Sequence, residues 1–143
     1  MTTAFSAVVQ AVIDRLSIDP AVCDTIDRAR VRPMSDQTDR LVNVQWDGAF
    51  PQRGAIYGAP VDWTTKITVD CYASSVKVSG DLAVDPLLEG VYERLAADTT
   101  LGGVVTDMNV PSIEVEYTSE GKKTGWVRLT YLVEHRTANL NLA

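Results

Sequence analysis

The sequence predicts an α+β fold: a mostly antiparallel β-sheet of four to five strands with two α-helices packed on one face. Two observations lead there. Two segments repeat apolar residues at the spacing of a helix, and several others alternate apolar with polar residues at the period of a strand. Their order is helix, edge strand, two strands, helix, two strands. The chain has 143 residues and is 45% hydrophobic, which suits one domain over 1–143 and excludes intrinsic disorder as the main state.

Phe5, Val8, Val9, Val12, Ile13 and Leu16 fall on one stripe of the first helix, with Thr2 or Thr3 as its cap and Pro20 blocking simple continuation. Ile26 to Val31 is weaker and reads as an edge strand. There Arg28, Arg30 and Arg32 share one face and Ala29 and Val31 the other, either as charges that discourage strand pairing or as a basic patch for an acidic partner. Leu41 to Trp46 reads as a strand with Val42, Val44 and Trp46 inward and Asn43, Gln45 and Asp47 outward. The glycines and prolines of DGAFPQRGAIYGAP then predict an irregular loop carrying Phe50, Ile56 and Tyr57, functional or folded back on the domain.

The clearest strand runs from Asp62 to Ala73. Trp63, Thr65, Ile67, Val69, Cys71 and Ala73 take its packed side, and Asp62, Thr64, Lys66, Thr68, Asp70 and Tyr72 face water or a partner. A second helix is expected from about Leu82 to Asp98, with Leu87, Leu88, Val91, Tyr92 and Leu95 as its buried stripe. Asp85 suits its N-cap, Pro86 its first position, and Gly102 and Gly103 the stop. The last third reads as a hairpin. Ile113, Val115 and Tyr117 alternate with Glu114, Glu116 and Thr118, SEGKKTG turns, and Val127, Leu129, Tyr131 and Val133 continue the apolar side. Residues 137–143 read as a flexible polar tail.

Signatures of chemistry are missing from this pattern. No G-x-S-x-G, P-loop or dinucleotide-binding glycine motif occurs, and the one histidine, His135, reads as a polar residue near a strand end. Cys23 and Cys71 lack metal-site spacing and read as reduced, partly buried thiols. Glu114 and Glu116 would lie about 7 Å apart on one strand face, an arrangement ordinary for a solvated sheet. No metal, cofactor or catalytic residue is assigned. A formal charge of −6 disfavours general adhesion to nucleic acid or anionic lipid, although basic residues can still cluster locally. The apolar runs are too short to cross a bilayer and the N-terminal stretch lacks signal-peptide form, so a soluble, cytosolically made protein without a membrane partner is expected. Trp126 stands out. It points away from the apolar side of its strand, with Arg128, Thr130 and Leu132, and Trp126, Leu132 and Tyr72 suggest an apolar strip that is either an oligomer contact or covered by the long loop through Phe50 and Tyr57.

The helix AFSAVVQAVIDRL, the segment VDWTTKITVDCYAS, the helix VDPLLEGVYERLAADTTLGG and the closing WVRLTYLVEHRT resemble, in that order, phage tail terminator proteins of the lambda U-like minor tail or tail-completion type. The resemblance covers most of residues 4–137 and rests on the succession of elements, because each motif alone is a permissive alternation. The segments 22–40 and 47–61 do not match. The resemblance implies a structural virion protein, made in the host cytoplasm and placed at the head-proximal end of the tail. There a hexameric ring stops tube polymerisation and offers a head–tail joining surface. Implied partners are further copies of the chain, the tail tube protein and the head–tail connector (stopper) protein, with genomic DNA passing the lumen unbound. For the subunit contact, Arg28, Arg30 and Arg32 on one side and Glu114, Glu116 and Glu120 on the other are the expected patches, with Trp126 beside them. Phe50, Arg53 and Tyr57, then Lys122 and Lys123, are the expected tube or connector contacts. The alternatives are another connector or tail ring component, a generic adaptor, and a small hydrolase built on His135, Asp62 or Asp70.

Overall fold

The computed structural model describes residues 3–28, 40–52, 60–118, 123–138 and 141–143. It is an α+β fold with two helices and a six-stranded mixed sheet, mostly antiparallel. Helix α1 spans Ala4–Ser17. Thr3 caps it by accepting the Ser6 N–H at 3.3 Å, and Phe5, Val8, Val9, Val12 and Leu16 are its buried stripe. Helix α2 spans Gly80–Ala96 and buries Val84, Leu87, Val91 and Leu95. It starts earlier than expected. Ser79 is the N-cap, and Asp85 and Pro86 lie inside the helix. Pro86 and Leu82 are both on the exposed flank, where water can reach the carbonyl that loses its donor. Arg94 of α2 ties the helices together. Its guanidinium donates to the carbonyls of Arg15 at 3.3 Å, Ile18 at 2.8 Å and Pro20 at 2.6 Å, which satisfies orphan acceptors at the end of α1.

The strands are β1 (Ile26–Arg28), β2 (Arg40–Pro51), β3 (Val61–Ser75), β4 (Asp107–Met108), β5 (Ser112–Thr118) and β6 (Lys123–Thr137). The long strands β3 and β6 form the spine, paired antiparallel from Val61 opposite Thr137 to Ser75 opposite Lys123. β2 flanks β3, and β1 lies parallel to β2 at that edge. β4 and β5 both pair with the other side of β6, interrupted between Met108 and Ser112. The sheet thus has one strand more than the upper expectation, the two-residue β4 having no readable period.

The expected end of β2 at Trp46 is corrected. A bulge between Trp46 and Ala49 absorbs Asp47 and Gly48, Gly48 at φ 105°, and pairing resumes with Phe50 opposite Thr64. Glycine supplies the positive φ that lets a strand shift register and continue. Phe50 therefore sits in a strand, not a loop. The turn expected over SEGKKTG also shortens, because Lys123 to Gly125 already belong to β6. At the other terminus the Leu142 carbonyl accepts the Ala4 N–H at 2.6 Å, bringing the chain end to the start of α1.

Both helices cover one sheet face, where Val42, Val44, Ile67, Val69, Cys71, Val127, Leu129 and Val133 are almost fully enclosed. Trp46 belongs to this side but stays 51% exposed, stacked on Phe5 with ring centroids 4.9 Å apart. Among the described residues no helix covers the second face, yet Asn43, Thr64, Thr68 and Asp70, expected to face outward, are buried there. Cys23 and Cys71 are buried free thiols, and burial pushes Cys71 up to about 12. Among the described residues no helix is long and apolar enough to cross a membrane.

Candidate functional site

The sheet presents two unlike edges and one uncovered face, over which no helix lies among the described residues. At the β1 edge, the side chain of Arg28 points toward the helix layer, because Arg28 pairs with inward-facing Val44. Its guanidinium donates to Ser6 Oγ at 2.5 Å and reaches Gln10 Oε1 at 3.5 Å. Arg28 thus already bridges β1 to α1. Arg30 and Arg32 lie outside the described residues.

The β5 edge is different in character. Glu114 and Glu116 are exposed and stand opposite Arg128 and Trp126, so they belong to the uncovered face. Ile113 and Val115 stand opposite Leu129 and Val127 on the helix side. Burial separates the two strands sharply: Ile113 and Val115 are 48% and 45% exposed, against 0% and 2% for their partners. The apolar layer continues onto β5, which helix α2 covers only in part. Among the described residues no strand pairs with the outer edge of β5. Glu120 of the expected acidic patch lies outside the described residues.

On the uncovered face, Arg128 makes a fork-to-fork pair with Asp70, Nε to Oδ1 at 2.7 Å and Nη2 to Oδ2 at 3.1 Å. The same guanidinium lies 4.9 Å from the centroid of the Trp126 ring. Hydrogen bonding to Asp70 raises the pKa of Arg128, and the planar fork suits both the carboxylate and the indole. Trp126 does point away from the core, as the alternation predicts, but the apolar strip is corrected. Arg128 and Thr130 separate Trp126 from Leu132, so Trp126 with its neighbour Tyr72 is a half-buried patch anchored by an ion pair.

Phe50 is 56% exposed on this same face, opposite Thr64, whereas Trp126 is opposite Tyr72. Eight residues of β3 separate those rows, about 27 Å at the strand rise. The two expected contact regions therefore sit at opposite ends of the sheet. Lys123 opens β6 opposite Ser75, while Arg53, Tyr57 and Lys122 lie outside the described residues.

The residues offered for a hydrolase do not converge. Asp62 is taken by Arg136, Nε to Oδ1 at 2.7 Å, which lowers its pKa through that hydrogen bond. Asp70 is taken by Arg128. His135 is corrected from a polar strand-end residue to a buried one, 4% exposed, with Nε2 2.6 Å from Thr65 Oγ1 and its ring edge-on to Phe5 at 5.2 Å. Thr65 is fully buried, and desolvation lowers the pKa of His135. A groove of about 600 Å³ opens nearby, lined by Gln52, Asp62, Trp63, Thr106, Glu134, His135 and Arg136. Among the described residues, no group of three or more His, Cys, Asp or Glu side chains is placed to hold a metal ion.

Sequence reasoning missed Arg128 as an organising residue and the exposed apolar side of β5. For Arg128 a signal existed in the pairing of its strand with Asp70. For β5 there was none, because Ile113 and Val115 carry the same alternation as core strands. No family model matches the chain, and no curated protein is significantly similar to it.

Proposed function

We propose that the chain is a structural phage virion protein, a tail terminator whose copies form a ring at the head-proximal end of the tail tube. The ring halts tube polymerisation and offers a surface to the head–tail connector. One observation carries this reading. The two edges of a single sheet lie at opposite flanks and differ in chemistry, an arginine-bearing β1 flank and an acidic, part-apolar β5 flank. A head-to-tail contact uses two different patches on each subunit and closes a ring at the right rotation. A two-fold dimer would instead need one self-complementary patch. Six copies are what the resemblance to tail terminators implies, and the formal charge of −6 suits a lumen through which DNA slides without being held.

The test combines mass and length. Native mass spectrometry of the purified chain should show a ring-sized species, alone or once tube protein is added. Added to polymerising tail tubes, the chain should narrow and shorten their length distribution while sitting at one end. Tubes that grow unchanged in its presence would overturn the terminator role, and binding along the tube wall would favour a tube or connector component.

A further inference from the structure

Among the described residues, the side chains of Arg15, Arg28, Lys66, Arg94, Arg128 and Arg136 each hold a hydrogen bond or ion pair within the chain. Those of Arg40 and Lys77 hold neither, and both are exposed. The two uncommitted cations line one groove of about 570 Å³, where β3 ends and α2 begins. Val76 and Val78, 73% and 41% exposed, line it with them, and among the described residues no acidic side chain does. The opposite chemistry stands on the β5 flank, where Ile113, Glu114, Val115 and Glu116 are exposed and alternate apolar with acidic. We propose that this groove receives the β5 flank of a second copy of the chain, Glu114 and Glu116 meeting Arg40 and Lys77 while Ile113 and Val115 cover Val76 and Val78. The inference rests on the ring reading and deepens it by naming the contact.

A free strand edge presents both of its side-chain rows at once, so a groove that mixes cations with valines can engage both. The apolar half supplies burial, and the charges steer the approach and fix register. Setting β5 against the β5 of another copy would oppose glutamates to glutamates. Two cations among valines also suit carboxylates with apolar neighbours better than a nucleic-acid backbone, whose phosphates call for many cations.

Within one molecule the two patches cannot meet. Arg40, Ala73, Gly125 and Tyr117 lie in one row across the sheet, so β5 stands three strand spacings, about 14 Å, from Arg40. Arg40 shares the strand parity of Val42 and belongs to the helix side, whereas Glu114 and Glu116 belong to the uncovered face. The contact is therefore between copies and joins two different patches, the kind of contact that builds a ring and not a two-fold dimer. Because the groove lies at a strand end and β5 at a lateral edge, successive copies are turned relative to one another, as closure requires.

A charge exchange tests the contact on the full chain at about 0.1 M salt, with tube protein added if the wild type alone stays monomeric. Arg40→Glu with Lys77→Glu in one variant, and Glu114→Lys with Glu116→Lys in another, should each weaken self-association roughly tenfold or more by sedimentation or native mass spectrometry. Mixed in equal amounts, the two should recover association in rings where they alternate, so only even subunit numbers form. Recovery also shows that both variants fold, and Arg40→Gln with Lys77→Gln, a milder change, should weaken association without reversing charge. If variants with the thermal midpoint of the wild type associate as it does, or their mixture fails to recover, the contact is overturned while ring formation and tube capping by the wild type still support the terminator reading. A groove variant that keeps its ring but no longer caps tubes also overturns it, by giving the groove to an acidic segment of the tube protein. A wild type that neither self-associates nor caps tubes overturns both readings.

Discussion

At the scale of single residues, position along a strand was legible and environment was not. The alternation of β6 runs past Val133 to His135, which was read only as a polar residue near the strand end, and the covering ring of Phe5 comes from α1, more than a hundred residues away in sequence. That enclosure has a pH consequence. The chain has one histidine, its Nδ1 is buried without a hydrogen-bond partner, and desolvation lowers its pKa. Below about pH 6.5 the unfolded chain binds a proton that the folded chain still refuses, so stability falls with pH from that point until the lowered folded pKa is reached. Carboxylates titrate lower, which leaves the first acid loss to this group. His135→Gln can keep the Thr65 contact without titrating. Its thermal midpoint should be flatter than that of the wild type between about pH 7 and 5.5; equal slopes would show that the loss arises elsewhere.

At the scale of elements, periodicity found both helices and the long strands because it reports which side chains are enclosed. It was blind to backbone meeting backbone. Gly125 was assigned to a turn, yet it lies in β6 against the start of α2. A Cβ on Gly125 would collide with the Gly80 carbonyl, and one on Gly80 with the carbonyl of Thr124. Neither obstacle is a side chain that can rotate away. Gly125→Ala and Gly80→Ala should therefore each cost about 2–3 kcal/mol in urea unfolding. Because one contact is relieved by one separation of the elements, the double variant should cost less than the two single losses added together. Additive losses would mean that two independent distortions are being made. The same blindness explains the misplaced start of α2, since Pro86 matched a first-turn position while the helix begins at Gly80, six residues earlier.

At the scale of the whole molecule, the fold class was readable because element type and order constrain how one core closes. The candidate interface was only half readable. Charges on edge strands look alike in sequence whether they ward off partners or select one, and the exposure of Ile113 and Val115 depends on how far the helix layer reaches. Electrostatics of the assembly distinguish these roles. Each copy carries a formal charge of −6, so neighbouring copies repel over long range, while the proposed glutamate–arginine contacts act at hydrogen-bond range. The screening length is about 30 Å at 0.01 M salt, about 10 Å at 0.1 M and about 3 Å at 1 M. Raising salt to about 0.1 M should first strengthen assembly by removing the general repulsion, and raising it toward 1 M should then weaken it as the contact charges are screened. Sedimentation across that range should show a maximum, and Glu114→Gln with Glu116→Gln should abolish the fall at high salt. Assembly that only strengthens with salt would assign the contact to Ile113 and Val115, leaving the charges no part in choosing the neighbour.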